Sequence, residues 1–290
     1  MDTPIALAVT GIATGCVYAL VALGFVLIWK CTEVVNFAHG ELMMLGGFTG
    51  LGLVTIGWPW PLALAGAAIA CALFGLLTER VVLRPLLGQP HIPIVMTTLG
   101  LGFMLKGAVT MVPGAGVETH ALPTPFAGQA VLLAGTPIAA DHLLVIGVTL
   151  ALGLALYGFF YATRLGKALR ATAQNARGAR LVGIPLGRMQ AWAWALAAGL
   201  AAVAGVLLAP LTFVHAHMGL IGLKALPAAV IGGFGSIPGA VAGGLLLGLV
   251  EAFAGFYAPD GVKDVAAHVL VLVVLLLRPA GLFGRPQENA

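Results

Sequence analysis

Residues 163–190, TRLGKALRATAQNARGARLVGIPLGRMQ, form a long polar insert in an otherwise apolar sequence. The insert has no acidic residue, and it holds six of the chain's 14 basic residues: Arg164, Lys167, Arg170, Arg177, Arg180 and Arg188. Lys and Arg in short loops stay on the cytoplasmic side of a membrane. The charge asymmetry therefore predicts that this insert is a cytoplasmic loop between two membrane spans.

Helical spacing divides the insert into two faces. The basic face covers an arc of roughly 140° at 3.6 residues per turn and comprises Lys167, Arg170, Arg177 and Arg180. The opposite face is small and comprises Ala168, Thr172, Ala176 and Ala179. Attraction to anionic lipid headgroups would explain the basic face but not the small face. The small face favours close packing against a partner, and Gly183 with Pro185 should end the helix.

Composition indicates a polytopic membrane protein of the all-α class. Hydrophobic residues make up 60% of the 290 positions and charged residues 8%, which excludes a soluble domain with a single core. A span needs about 20 apolar residues, and we expect about eight or nine transmembrane helices. The candidate segments are 5–29, 36–57, 60–78, 92–112, 141–161, 190–210, 220–234, 236–257 and 264–278. We expect no nucleic-acid binding, because most of the net charge of +4 comes from the insert.

Placing the insert inside fixes the predicted orientation. The N-terminus and loop 113–140 then lie outside, on the periplasmic side, and the loop has the Pro and Gly content of a hairpin. The acidic turn with Asp260 and Asp264 is also outside, and the C-terminus with Arg278 and Arg285 is inside. This places 11 of the 14 basic residues in inside segments. A re-entrant 220–234 segment would instead turn the C-terminus outward.

Two stretches depart from plain apolar spans. Asn36 to Glu41 opens a hydrophobic run, and we interpret Asn36 as a helix N-cap and Glu41 as a first-turn acid. Capping is preferred to metal binding, since His39 and Glu41 have no third ligand nearby in sequence. Residues 232–239 join two short Gly/Pro-interrupted segments near 220–257. Such a break at membrane depth faces protein or water, and a tight cytoplasmic hairpin is the alternative.

The motifs in these stretches resemble the LivH-type permeases, inner-membrane subunits of ABC importers for branched-chain amino acids. Members of that family also carry urea, short amides and aromatic acids, so the resemblance implies branched-chain amino acids or one of these related small solutes as the substrate. The resemblance rests on VNFAHGE (35–41) with MMLG (43–46), on LGKALRA (165–171) with ARLVGI (179–184), and on GGFGSIPGA (232–240) with Gly243, Gly244 and Glu251. These motifs occur in the expected order and cover nearly the whole chain, to RPAGLFG (278–284). The signature residues near the membrane entry are Asn36, His39 and Glu41.

The resemblance implies a single permease domain over residues 1–290, with residues 163–190 as the loop that couples it to a separate ATPase. The implied coupling residues are Lys167, Arg170, Thr172, Ala176, Arg177, Ala179, Arg180 and Gly183. The implied partners are a second homologous permease, two ATP-binding subunits, a periplasmic solute-binding protein and membrane lipid. The chain itself is expected to bind no cofactor and to be no enzyme. Residues 100–107 lack the Gly-Lys-Ser/Thr ending of a phosphate-binding loop.

Few charges remain within the hydrophobic segments. Lys106, Lys224 and Glu251 are candidates for the substrate path, either as residues that reach the outer interface or as an ion pair that meets a zwitterionic solute. His215 and His217 are interpreted as solvated, and no metal site is assigned. An autonomous secondary transporter or channel is the alternative function. The basic loop argues against it, because such a carrier has no need of an ATPase-docking helix.

Overall fold

The structure, a computed structural model, describes residues 3–86, 91–114, 116, 118–133, 135–259 and 261–284. Twelve α-helices and one β-hairpin account for most of them. They are α1 (Thr3–Thr32), α2 (His39–Thr55), α3 (Trp60–Thr78), α4 (His91–Thr110), β1 (Ala130–Leu133), β2 (Thr136–Ala139), α5 (Ala140–Ala162), α6 (Arg164–Gln174), α7 (Ala176–Leu181), α8 (Leu186–Thr212), α9 (Met218–Leu223), α10 (Ala225–Gly232), α11 (Ile237–Tyr257) and α12 (Val262–Leu277). A π-helical turn (Glu79–Leu83) and a 3₁₀ turn (Arg84–Leu86) extend α3.

The helical membrane class predicted from composition is confirmed. By length and composition, six helical stretches of the described residues can cross a membrane: Pro4–Thr32, Trp60–Leu86, Ile92–Thr110, Ala140–Ala162, Leu186–Thr212 and Ile237–Tyr257. Two shorter apolar stretches, Met218–Gly232 and Val265–Leu277, accompany them. The antiparallel β1–β2 hairpin is the exception to an all-α fold, and it lies in the loop where a hairpin was expected.

Helix α1 lies at the centre of the bundle and packs along α8 and α11. Its contact with α11 is a seam of glycines: Gly11, Gly15, Gly244 and Gly248. A side chain at Gly15, Gly244 or Gly248 would overlap the backbone of the facing helix, and one at Gly11 would be in tight contact with it. Between helices in lipid, close backbone approach supplies the packing that the hydrophobic effect supplies in water. Gly11 and Gly15 are four residues apart in the sequence, as are Gly244 and Gly248, and this spacing places each pair on one face of its helix, toward the seam.

Helix α2 begins part of the way along α1. After α1 ends, residues 33–38 run back without helical structure, so that the His39 ring lies against Gly24 and near Val21 of α1. The Asn36 side chain accepts a hydrogen bond from the Ala38 N–H at 3.0 Å. Asn36 thus holds the turn that leads into α2, although the helix starts at His39 and its N-cap position is Ala38.

The predicted span 220–234 is interrupted at Lys224, which joins the short helices α9 and α10. Helix α9 lies against the beginning of α2, where Gly40 meets Gly219 and Gly222. Helix α10 folds back on α11 through a turn at Gly233, whose φ is +94°. The expected Gly/Pro-interrupted helix pair is therefore present, with one additional break.

One end of the bundle, here called the basic end, combines α6, α7, the start of α8, the end of α1 and residues 278–284. Arg84 reaches the carbonyl of Gly187 at the start of α8 at 3.0 Å, and a cavity at this end is lined by Lys30, Arg170 and Arg278. Asp260 and Arg285, which entered the predicted orientation, lie outside the described residues, as does the side chain of Asp264.

Candidate functional site

The polar insert folds as two helices and not as one. Thr163 caps α6 by accepting a hydrogen bond from the Gly166 N–H at 3.0 Å, and Asn175 caps α7 by accepting one from the Gly178 N–H at 2.8 Å. Asn175 has an extended backbone, with φ of −155°, because an asparagine side chain competes with the helical backbone for its hydrogen bonds. The single continuous helix assumed for the two faces is therefore wrong at Asn175.

The small face of the insert is largely turned toward the protein itself. Thr172 is 2% exposed and Ala179 is 4% exposed, and their helices pack against α5 and α8. Ala176 is exposed. The expectation that the whole small face meets a partner is corrected by this burial, since small side chains let the insert lie close to its own bundle.

The face that remains open combines basic and apolar side chains. Lys167, Arg177, Arg180 and Gly183 are exposed on it together with Ala176. Leu181 is 88% exposed and Val182 is 77% exposed. The chain turns away at Gly183, whose φ is +84°, so the predicted end of the helix is confirmed. Leu181 and Val182 were not among the site residues predicted from the sequence, because an apolar side chain at a helix end does not by itself indicate exposure. We call Lys167, Ala176, Arg177, Arg180, Leu181, Val182 and Gly183 the open face.

Arg170 differs from the other basic residues of the insert. Its guanidinium carbon lies 4.1 Å from the centre of the Tyr161 ring on α5. This cation–π contact fixes α6 to the end of α5. Its Nε is buried without a hydrogen-bond partner among the described residues. Arg170 therefore holds the insert against α5 and does not act mainly as a free surface charge.

His39 has a structural environment. Its Nε2 lies 3.2 Å from the Val21 carbonyl, its ring meets Phe25 edge to face with centroids 4.6 Å apart, and its side chain is fully buried. A side chain at Gly24 would overlap the imidazole. His39 therefore ties the start of α2 to α1, and Gly24 provides the space for it.

Glu41 lies where α2, α4 and α9 meet. A side chain at Gly219 of α9 would overlap the Glu41 carboxylate, and Gly102 of α4 faces its Cγ. Its Oε2 is buried and has no hydrogen-bond partner among the described residues. Lys106, one turn beyond Gly102 on α4, attracts Glu41 electrostatically. The Lys106 Nζ lies 3.4 Å from Nδ1 of His217. Glu41, Lys106 and His217 form what we call the polar cluster.

Glu251 has a partner other than the lysines considered from the sequence. Its Oε2 accepts a 2.6 Å hydrogen bond from the Tyr18 hydroxyl. Elsewhere in the structure, Arg84 and Glu79 form an ion pair at 3.6 Å. Lys106 belongs to the polar cluster and Lys224 to the joint between α9 and α10. The suggested pairing of Glu251 with Lys106 is therefore corrected, and the pairing with Lys224 stays a prediction.

The two loop histidines do not form a recognisable metal site. Their ring centroids are 6.4 Å apart, and His217 faces Lys106, a cation. The described residues contain no group of three His, Cys, Asp or Glu side chains placed to hold a metal ion.

Comparisons with known proteins agree on one family. The family model described as "Branched-chain amino acid transport system / permease component" matches residues 7–278. The chain is 36% identical to the high-affinity branched-chain amino acid transport system permease protein BraD of Pseudomonas aeruginosa, covering 96% of this chain and 95% of that protein. It is 35% identical to the LivH permease protein of Escherichia coli, covering 96% and 94%.

A solved structure shares the fold at lower identity. PsaBC from Streptococcus pneumoniae, in complex with Fab, matches with a TM-score of 0.52 and 16% identity, covering 97% of this chain and 93% of that chain. With a family model over most of its length and relatives above 30% identity over nearly all of it, this chain belongs to the permease component family of branched-chain amino acid transport systems.

Proposed function

We propose that this chain is the permease subunit of an ABC importer that moves branched-chain amino acids across the bacterial inner membrane, with ATP hydrolysed by a separate subunit. The names of its relatives support the substrate class. The open face carries the proposal, because it offers a partner a surface that a protein working alone would not need.

The chemistry of the open face fits a protein partner. Leu181 and Val182 are exposed beside Arg177 and Arg180 at the tip of a capped helix. Exposed apolar side chains rimmed by charge mark interaction sites. Lipid headgroups would attract the arginines and leave Leu181 and Val182 unexplained. We therefore assign the open face as the docking surface for an ATP-binding subunit, with Thr172 and Ala179 holding the insert on the bundle.

The orientation follows from the charge distribution at the basic end. The structure brings together residues from four separate parts of the sequence there, and the described basic residues among them include Lys30, Arg84, Arg170 and Arg278. Positive charge is retained on the cytoplasmic side. We infer that the basic end and the C-terminus are cytoplasmic and that the N-terminus and the β1–β2 hairpin are periplasmic.

The proposed assembly contains this chain, a second homologous permease, two ATP-binding subunits and a periplasmic solute-binding protein. In the proposed assembly this chain binds neither a nucleotide nor another cofactor. ATP binding closes the partner subunits, and the open face transmits that motion to α5 and α8 through Arg170 and the buried small residues. Coupling of this kind requires that the partner favours one of two packings of the bundle.

Co-purification tests the docking assignment. The Leu181→Ser/Val182→Ser double variant should lose most of the ATP-binding subunit recovered with the tagged complex, because it removes the apolar part of the open face. Phe126→Ser is the matched control, since Phe126 is exposed in the connection before β1 and lies far from the insert in sequence. Equal recovery of the ATP-binding subunit from both variants would refute the assignment.

A further inference from the structure

The polar cluster places two opposite charges at membrane depth without joining them. Lys106 lies one turn beyond Gly102, which faces the Glu41 side chain. The Glu41 and Lys106 side chains are nevertheless outside ion-pair contact, and the buried Oε2 of Glu41 has no partner among the described residues. A buried carboxylate oxygen without a hydrogen bond is unfavourable. A group that donates hydrogen bonds to Glu41 would therefore stabilise the cluster.

The cluster is built from two interrupted elements. Helix α2 begins beside the inner part of α1, and α9 begins after the non-helical residues 213–217. Their glycines, Gly40 and Gly219, allow direct backbone contact, and the Glu41 carboxylate lies over Gly219. Helices interrupted in this way are tolerated in a membrane where they are buried in protein or line a water-filled cavity, and transporters bind solutes at such breaks.

The surroundings of the cluster indicate which of these two situations applies. His217 is exposed, and Lys106 is partly exposed. Phe103, three residues before Lys106 and therefore on the same side of α4, is 75% exposed. Charged and polar groups turned toward lipid are strongly disfavoured. This side of α4 and α9 therefore fits a water-filled path better than a surface in contact with lipid acyl chains. Another subunit would bound that path.

We propose that the polar cluster binds the backbone of an amino acid in transit, with the α-ammonium group at Glu41 and the α-carboxylate at Lys106 and His217. The proposal rests on the permease function proposed above and names the site within it. The ammonium supplies the donors that Oε2 lacks, and the carboxylate completes the hydrogen bonding of Lys106. The apolar side chain of the solute then lies against Phe103 and Leu220, both exposed next to the cluster.

The opposite charges of Glu41 and Lys106 favour a zwitterionic ligand over a singly charged one. A cation alone would be attracted by Glu41 and repelled by Lys106. An anion alone would be attracted by Lys106 and repelled by Glu41. A zwitterion satisfies both groups at once, whereas a bridging water would satisfy them without any solute. The test therefore has to separate a solute site from a hydrated ion pair.

Uptake of radiolabelled leucine by the complete importer in proteoliposomes tests the two charges. Glu41→Gln and Lys106→Gln should each lower uptake about ten-fold or more, because a hydrogen bond to a charged group is lost, while the complex is recovered in wild-type amounts. Glu33→Gln is the control, since Glu33 is an exposed carboxylate in the nearby α1–α2 connection. It should transport like wild type.

Thiol labelling provides a readout that a purely structural role would not change. The described native cysteines, Cys16, Cys31 and Cys71, are buried, so a cysteine introduced as Phe103→Cys can be followed with a charged, water-soluble thiol reagent. It should react, and leucine delivered by the binding protein should slow the reaction. Leu154→Cys on α5, at an exposed apolar position, should not react. Leucine protection at position 103 should be lost when Glu41→Gln is added.

The outcomes separate the two proposals. If the wild-type complex takes up no leucine, the proposed function fails. If wild type transports but Glu41→Gln and Lys106→Gln remain within about two-fold of it, a factor too small for a lost charged hydrogen bond, the polar cluster is not the binding site. The same conclusion follows if leucine still protects position 103 in the Glu41→Gln background, since the charges would then be a hydrated pair only.

Discussion

The Tyr18 hydroxyl and the Glu251 carboxylate are joined by a 2.6 Å hydrogen bond between two buried side chains. The bond links α1 to α11 beside the seam of Gly11, Gly15, Gly244 and Gly248. The other oxygen of Glu251 is buried without a hydrogen-bond partner among the described residues. The Tyr18 hydroxyl therefore donates a hydrogen bond that stabilises the Glu251 carboxylate inside the helix bundle.

Tyr18→Phe should lower the unfolding free energy of the detergent-solubilised protein by about 1–3 kcal/mol, because it leaves a buried acceptor without its donor. Thermal unfolding measures the change. Tyr157→Phe on the exposed side of α5 is the control and should have little effect. In a mutant cycle, Tyr18→Phe and Glu251→Gln should be non-additive, whereas Glu251→Gln and Lys106→Gln should be additive. Coupling in the second pair alone would contradict the assigned partners.

Much of this fold can be predicted from the sequence, because the length of an apolar segment and the charge of a loop depend only on neighbouring residues. Each of the nine hydrophobic segments contains a helix. Gly183 with Pro185 indicated where the insert returns toward the membrane. The break at Asn175 was missed, although a residue with a strong capping tendency within a polar helix is a usable signal.

The candidate site was harder to predict, because its residues come from distant parts of the chain. Glu41 was interpreted as a first-turn acid, and nothing in its own segment indicates that α4 and α9 bring Lys106 and His217 close to it. The burial of Thr172 and Ala179 likewise depends on how α6 and α7 pack on α5 and α8. Helical periodicity gives two faces of a helix but does not say which one meets the bundle.

The two alanines of α7 should respond differently to the same substitution. Ala176→Trp fills an exposed position of the open face, so the protein should fold and insert while ATP-driven transport is lost. Ala179→Trp places a large ring at a buried position, and overpacking should destabilise the protein by about 1–3 kcal/mol or more. Comparing thermal stability and recovery of the ATP-binding subunit separates the two effects. Equal stability of both variants would contradict the burial of Ala179.

Gly24 should not tolerate a side chain. An added methyl group would overlap the His39 ring and displace the start of α2, so Gly24→Ala should lower the melting temperature and the yield of folded protein. Gly100→Ala on α4 is the matched control, because nothing lies within 4 Å of the added group, and alanine favours a helix over glycine by about 0.5–1 kcal/mol. Similar losses at both positions would argue against the specific contact.

Membrane orientation can be checked by labelling single introduced cysteines in intact cells. Ala127→Cys, in the exposed connection before β1, should react with an impermeant reagent, and Ala176→Cys on the open face should react only after the membrane is opened. These positions are preferable to Gly116, where a side chain would overlap Thr110, and to Asn175, whose side chain caps α7. Labelling of Ala176→Cys but not Ala127→Cys would reverse the proposed orientation.

ATP-driven uptake of leucine by the reconstituted importer distinguishes a permease subunit of an ABC importer from an autonomous carrier. Proteoliposomes should contain this chain with its second permease, its two ATP-binding subunits and its solute-binding protein. We expect leucine accumulation that requires ATP and every subunit and that is abolished by Ala176→Trp in this chain. Leucine uptake by this chain alone, independent of ATP and unaffected by Ala176→Trp, would contradict it and would identify an autonomous carrier.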